Sequence, residues 1–344
     1  MNRKLVWMGC LPLLAGCVTQ DLPRDVGELL PDPTFSQWFH IKGLGQPWDD
    51  GKPQGIFRSS AELLGTPVWG LAQWAAPPSL ADPAATRQYR SGADTFVISN
   101  ASKRVTVDSR RGEIELAVSA SACHERPRRR NEPWPHLLAE APLTDKRHPS
   151  EACRVEAMTR LDVSLDCCLA AFEDRHPDAN PSLHAAQFQL FLYVQNLNTE
   201  SPGYGDMLWF GIPVFDNRRP GAPGEHYQRD GGKPDASSKF IYAMPASACQ
   251  PNGNTFFKNG APAASPAWTA IRADVLPFIR RACTLAREGG YLAATDPADL
   301  YVSGLNIGWE MPGTYDAAMR IRRFSISRTA KKLDEKPERG DEKN

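Results

Sequence analysis

The chain has 344 residues, with 40 basic and 40 acidic side chains, so its formal net charge is zero and nothing in the overall balance calls for nucleic acid. Thirty prolines and twenty-six glycines impose many turns and argue against long helices. No GxSxG, P-loop or HExxH pattern occurs, so serine-hydrolase, nucleotide and zinc-peptidase chemistry lack support, and neither a metal nor a cofactor is expected.

The N-terminus opens with the basic Met1-Asn2-Arg3-Lys4, followed by an apolar run over 5–15 that is too short to span a bilayer. It ends in Leu14-Ala15-Gly16-Cys17, which resembles the bacterial lipobox. The resemblance implies a signal peptide over 1–16 and a lipid-modified Cys17 as the mature N-terminus, anchoring the protein to a membrane. Val18 follows where an Asp would hold a lipoprotein at the inner membrane, which favours the outer one, with its two sides left open. Cys10 goes with the signal. Six cysteines remain: Cys123, Cys153, Cys167, Cys168, Cys249 and Cys283. An even count in an exported chain predicts disulfides, with the pairing left open.

Residues 17–87 are rich in Pro, Gly and Trp without a sustained period, and read as an irregular arm that partly wraps a domain over 88–328. Alternation then sets in. In GEIELAVS, Ile114, Leu116 and Val118 share one face. The run Arg126-Pro127-Arg128-Arg129-Arg130 is a loop, either solvated or facing an anionic polysaccharide or lipid headgroup. A strand follows around Leu161, Val163 and Leu165. AQFQLFLYVQN is the clearest strand, with Phe188, Leu190, Leu192 and Val194 on one side. Gln187, Gln189, Phe191, Tyr193 and Gln195 lie on the other, a polar and aromatic set suited to a groove. GYGDMLWFGIPVFDN and KFIYAMPA give further strands. Val275, Phe278, Ile279, Ala282 and Ala286 recur at helical spacing, and Gly289-Gly290 ends that helix. LYVSGLNIGWEMP and DAAMRIRRFSIS close the domain, and the charged residues 329–344 read as a disordered tail. The fold expected is all-β: a two-sheet antiparallel jelly roll, concanavalin-like, with one late α-helix.

The closing succession of helix, GLxxGxE strand and final strand resembles the end of the glycoside hydrolase family 12 endoglucanases. The resemblance places an acid/base glutamate at Glu310, in Gly308-Trp309-Glu310. It also likens Tyr204-Gly205-Asp206-Met207-Leu208-Trp209 to the run that carries the nucleophile. Here the nucleophile position falls on Gly205, and Asp206 comes one residue later. The candidate catalytic pair is therefore Glu310 with Asp206. Trp209, Trp309 and Tyr193 are candidate stacking faces for sugars, and Gln189, Gln195 and Asn196 candidate hydrogen-bonding groups. The expected ligand is a polysaccharide. The sequence leaves open whether the groove only binds it, also hydrolyses it, or serves as a scaffold for a protein partner.

Overall fold

The computed structural model describes residues 26–45, 52–62, 65–175, 180–218, 223–233, 236–249 and 264–331. The lipobox with Cys17, and residues 332–344 of the expected tail, lie outside the described residues. Two sheets pack face to face. The outer sheet contains β1 (Val26–Glu28), β5 (Arg87–Arg90), β6 (Thr95–Ser99), β7 (Lys103–Asp108), β8 (Glu113–Ser119), β10 (Met158–Asp174), β15 (Thr269–Asp274) and β17 (Tyr315–Ala330). Its order is β15-β10-β17-β8-β7-β6-β5, with β1 on the end of β17. The inner sheet contains β2 (Phe39–Ile41), β3 (Gly55–Phe57), β4 (Trp69–Ala72), β9 (His136–Pro142), β11 (Gln187–Asn196), β12 (Met207–Asp216), β13 (His226–Arg229), β14 (Phe240–Ala243) and β16 (Leu300–Glu310). Its order is β13-β14-β12-β11-β16-β9-β4-β2-β3. Pairing is antiparallel apart from β2 with β4 and β12 with β14, which are parallel. This is the jelly-roll sandwich that the alternation predicts.

Strand alternation fills the space between the sheets. Ile114, Leu116 and Val118 enter it from β8, Phe188, Leu190, Leu192 and Val194 from β11, and Leu305, Ile307 and Trp309 from β16. Each such side chain contributes about 1.5–3 kcal/mol by leaving water. The late helix is α2 (Leu276–Glu288); a four-residue helix, α1 (Ala120–Cys123), precedes it in the chain. Leu276, Ile279, Ala282, Cys283 and Ala286 form the buried stripe of α2, and the Gly289 N–H donates to the Leu285 and Arg287 carbonyls at its end.

Two expectations differ from the structure. Part of the segment expected as an irregular arm is woven into the sandwich: it supplies β1 to the outer sheet and β2, β3 and β4 to the edge of the inner one. Trp69 is fully buried, stacks on Phe39 with ring centroids 5.9 Å apart, and reaches Phe324 of β17 at 6.5 Å. Strands of three or four residues are too short to show a period, which is why the sequence reads as irregular there.

The disulfide expectation is corrected. All six described cysteines are free. Cys167 and Cys168 are successive residues of one strand and point to opposite faces: Cys167 lies in the core, while the Cys168 Sγ donates to the Ser265 carbonyl at 3.2 Å. The Cys153 Sγ donates to the Leu143 carbonyl at 3.2 Å. These side chains act as small apolar fillers, and burial pushes the Cys283 thiol up to about 12.

Candidate functional site

The groove lies on the inner sheet, on the side turned away from the core. Because Leu305, Ile307 and Trp309 face inward, Gly304, Asn306, Gly308 and Glu310 face the groove. The pairing register sets out rows across the strands. His136, Glu310, Gln187 and Asp216 form the first row. Leu138, Gly308, Gln189 and Pro213 form the second; Glu140, Asn306, Phe191 and Gly211 the third; Pro142, Gly304, Tyr193 and Trp209 the fourth. Above them is a cavity of about 380 Å³, walled by Trp74, Trp134 and Trp209 and floored by Gln187, Gln189 and Phe191.

Among the acids of this face Glu140 and Asp216 are the more buried, and Glu310 is part-buried. Its side chain keeps 23% of its surface open, yet the protein packed around the carboxyl raises its pKa above the ordinary value. Lys233 pulls it back, Asp230 adds to the rise, and Trp134 and Arg218 lower it. His136, one strand away, is driven the other way. Burial holds its pKa well below the usual imidazole value, and Lys233 adds to this. With the ring neutral, its Nδ1–H donates to the Trp134 carbonyl at 2.8 Å, an assignment that leaves Nε2 unprotonated. That nitrogen stands 3.8 Å from the Glu310 Oε2.

Asp216 occupies the far end of the first row. With two strand spacings between them, its Cα is about 10 Å from that of Glu310. It is held by Arg218, whose Nε donates to Oδ1 at 3.0 Å and whose Nη2 donates to Oδ2 at 2.7 Å. The Gln187 amide also donates to it, at 3.0 Å. Trp209 is fixed as well. Its Nε1–H donates to the Ser237 Oγ at 3.0 Å, and that hydroxyl donates to Asp230 at 2.5 Å. Its ring meets Tyr193 edge-on, with centroids 5.0 Å apart. On the opposite wall the Arg128 guanidinium lies 4.4 Å, and the Lys233 ammonium 4.7 Å, from the centre of the Trp134 ring.

The predicted site residues separate into three groups. Glu310, Gln189 and Trp209 line the groove. Tyr193 and Gln195 share its face without lining the cavity: the Tyr193 hydroxyl donates to Glu140 at 3.4 Å, and Gln195 accepts from the Ser303 hydroxyl at 3.3 Å. Trp309 is a correction. It is fully buried, packs edge-on against Phe188 at 5.0 Å and Phe215 at 6.0 Å, and donates its Nε1–H to the Leu116 carbonyl at 2.9 Å. Being next to Glu310 in sequence puts it on the opposite face of the sheet. Asn196 and Asp206 are also corrections. Asn196 is fully buried and donates to Ser201 at 2.9 Å and to Thr295 at 3.2 Å, while Thr295 donates to Asp206 at 3.0 Å. Both anchor loops at the far end of β11, so Asp206 sits roughly 30 Å of strand away from Glu310.

Trp134 and Arg218 are site residues that the sequence reading missed; His136, which reads from sequence as a surface group, and Asp216, a weaker candidate acid than Asp206, join them in the groove. The run Trp134-Pro135-His136 after the basic loop was the available signal, since β9 opens at His136 beside the end of β16. Part of the basic loop belongs to the groove wall through Arg128, whereas Arg126 is paired with Glu132 at 2.7 Å. Among the described residues no group of three metal-ligating side chains comes together.

No protein-family model matches the sequence, and no curated protein matches it at a significant level. Similar solved structures include a metagenome-derived glycoside hydrolase family 12 endoglucanase, with 13% identity over 76% of this chain and 99% of that one and a TM-score of 0.38. The endoglucanase cel12A from Rhodothermus marinus has 14% identity over 72% of this chain and 97% of that one, at a TM-score of 0.37. The native family 12 xyloglucanase from Bacillus licheniformis has 9% identity over 71% of this chain and 100% of that one, at 0.38. Likeness at this level says nothing of activity, and the fold rests on the strand order above.

Proposed function

We propose that the groove binds a carbohydrate chain, with Glu310 as a hydrogen-bonding group rather than one half of a hydrolytic pair. The observation that carries this reading is the groove face itself: aromatic side chains of Trp74, Phe191 and Trp209 interleave with the amides of Gln187, Gln189 and Asn306. Flat apolar rings with amides between them suit a sugar, which is apolar on its faces and hydroxylated at its edges. Glycosidic hydrolysis takes a second carboxyl across the bond, within about 5–10 Å. Asp206 is far out of range, and Asp216 is already engaged by Arg218 and Gln187. Calorimetry against soluble glucan, xyloglucan and xylan fragments tests the reading, with Trp209→Ala expected to weaken binding about tenfold or more. Absence of binding across the panel argues against it, and release of reducing ends would restore the hydrolase.

We further infer, from the lipobox alone, that Cys17 is acylated and tethers this domain to the outer membrane. Mass spectrometry of the N-terminal peptide, with Cys17→Ser as control, decides the point.

A further inference from the structure

A second polar site lies on the outer sheet, away from the groove. Asp166 of β10 points to the open face, because Leu165 and Cys167 on either side of it enter the core. It is nevertheless only 4% exposed. Three guanidiniums cover it: Arg272 of β15 at 3.3 Å, Arg322 of β17 at 3.4 Å and Arg323 of β17 at 3.3 Å. Among the described residues, no other carboxylate pairs with these three arginines. One negative charge against three leaves a local excess of two. The contacts are longer than the roughly 2.7–2.9 Å of a tight charge-assisted bond, so much of the donor capacity remains for a ligand.

The backbone is distorted to make this cluster. Ser164 pairs with Ser325 and Asp166 with Arg322, so Leu165 alone faces two residues, Arg323 and Phe324. Arg323 is the inserted residue of a β-bulge and holds φ at 53°, a left-handed conformation that residues with a Cβ rarely adopt. The insertion lets Phe324 reach the core while Arg322 and Arg323, neighbours in sequence, both reach Asp166 on the outer face. Trp268 stacks under Arg322 at 4.0 Å and steadies it. The neighbouring Arg320 is paired with Glu113 and does not add to the excess.

We propose that Arg272, Arg322 and Arg323 form a binding site for a phosphate group. A phosphate monoester brings a charge of about −1.5 to −2 and three acceptor oxygens, which matches the excess and the spare donors. The monoester comes either from a soluble phosphate ester or from a lipid headgroup that ends in phosphate, as in phosphatidic acid.

The test uses the full chain. Inorganic phosphate is titrated calorimetrically against a chloride reference at equal ionic strength, and sedimentation with vesicles containing phosphatidic acid is measured alongside. The variant is Arg323→Gly. Glycine accepts the left-handed φ, so the variant should fold at least as well as the parent. Its phosphate affinity is expected to fall about tenfold or more. Arg272→Gln should show a similar loss from a different strand. Arginine-dependent binding of inorganic phosphate assigns a soluble ligand, and arginine-dependent sedimentation with vesicles alone assigns a headgroup. Absence of both, or full retention of both in Arg323→Gly, overturns the site.

Discussion

The Nε2 of His136 and the Oε2 of Glu310 stand 3.8 Å apart on neighbouring strands, and their surroundings push their proton affinities in opposite directions. Burial disfavours charge on both, so Glu310 keeps its proton to higher pH than an ordinary carboxyl, and His136 stays neutral to lower pH than an ordinary imidazole. A neutral carboxyl can donate a hydrogen bond as well as accept one. A carboxyl-carbon NMR titration should therefore place the Glu310 midpoint above the ordinary 4.5. Glycan affinity should weaken as pH rises through that midpoint. Glu310→Gln should bind with little pH dependence, because the amide donates at every pH. A midpoint at or below 4.5 would remove the basis for this expectation.

His136 makes a separate prediction about stability. Its folded pKa lies below the unfolded value of 6.5, so the folded state holds this proton less tightly. Its contribution is complete above 6.5 and is lost as pH falls below it, by at most about 1.4 kcal/mol per pH unit. Glu310 runs the other way: its raised folded pKa favours the folded state at low pH, and that contribution is lost as pH rises above 4.5. Urea unfolding from pH 7 to pH 5 should show the His136 decline, and His136→Phe should flatten it. Parallel slopes for the two proteins would contradict this account.

Gly308 cannot carry a side chain. Its φ is +155°, and an added Cβ would lie 2.1 Å from the Leu137 carbonyl oxygen and 2.8 Å from the Leu138 Cα. Both are backbone atoms of the adjacent strand, so the sheet itself would have to part. Gly308→Ala should cost roughly 3 kcal/mol or more, or prevent folding, as read by denaturant midpoint or soluble yield. A loss below about 1 kcal/mol would show that the β9–β16 pairing yields more easily than the geometry implies.

The two tryptophans that looked equivalent in sequence should behave oppositely. Trp309→Ala empties a core position and should cost about 3–5 kcal/mol. Trp209→Ala removes a half-buried groove wall and should cost about 1–2 kcal/mol while abolishing most glycan affinity. Thermal unfolding and calorimetry on the same preparations separate the two effects. Similar stability losses would contradict the assignment of faces.

What the sequence made legible was what repeats. Alternation over ten residues separates Gln187, Gln189 and Phe191 from Phe188, Leu190 and Leu192, and so marks the groove face in the sequence itself. The same rule, applied strictly from Glu310, would have sent Trp309 into the core; its neighbourhood with the acid outweighed the parity. Asp206 lies near a motif, but its place opposite Asn196 at the end of β11 depends on pairing register, which a single strand does not encode. Asp216 and His136 join the site only because β12 and β9 end beside β16 and β11, and that adjacency is long-range information. The bulge at Arg323 was hidden because an inserted residue looks like one more position in an ordinary strand.

The three residues of β1 have a mechanical consequence. They zip onto the C-terminal end of a long partner strand, β17, pairing Val26 with Thr329 and Glu28 with Ser327. Tension applied from the N-terminal side would peel these few bonds one at a time, at low force. The load would then reach Phe35, Phe39 and Trp69, which are locked between the sheets and would have to leave together. A short yielding strand thus precedes a stiff body, so that a pull from the N-terminal side is spent before it deforms the groove.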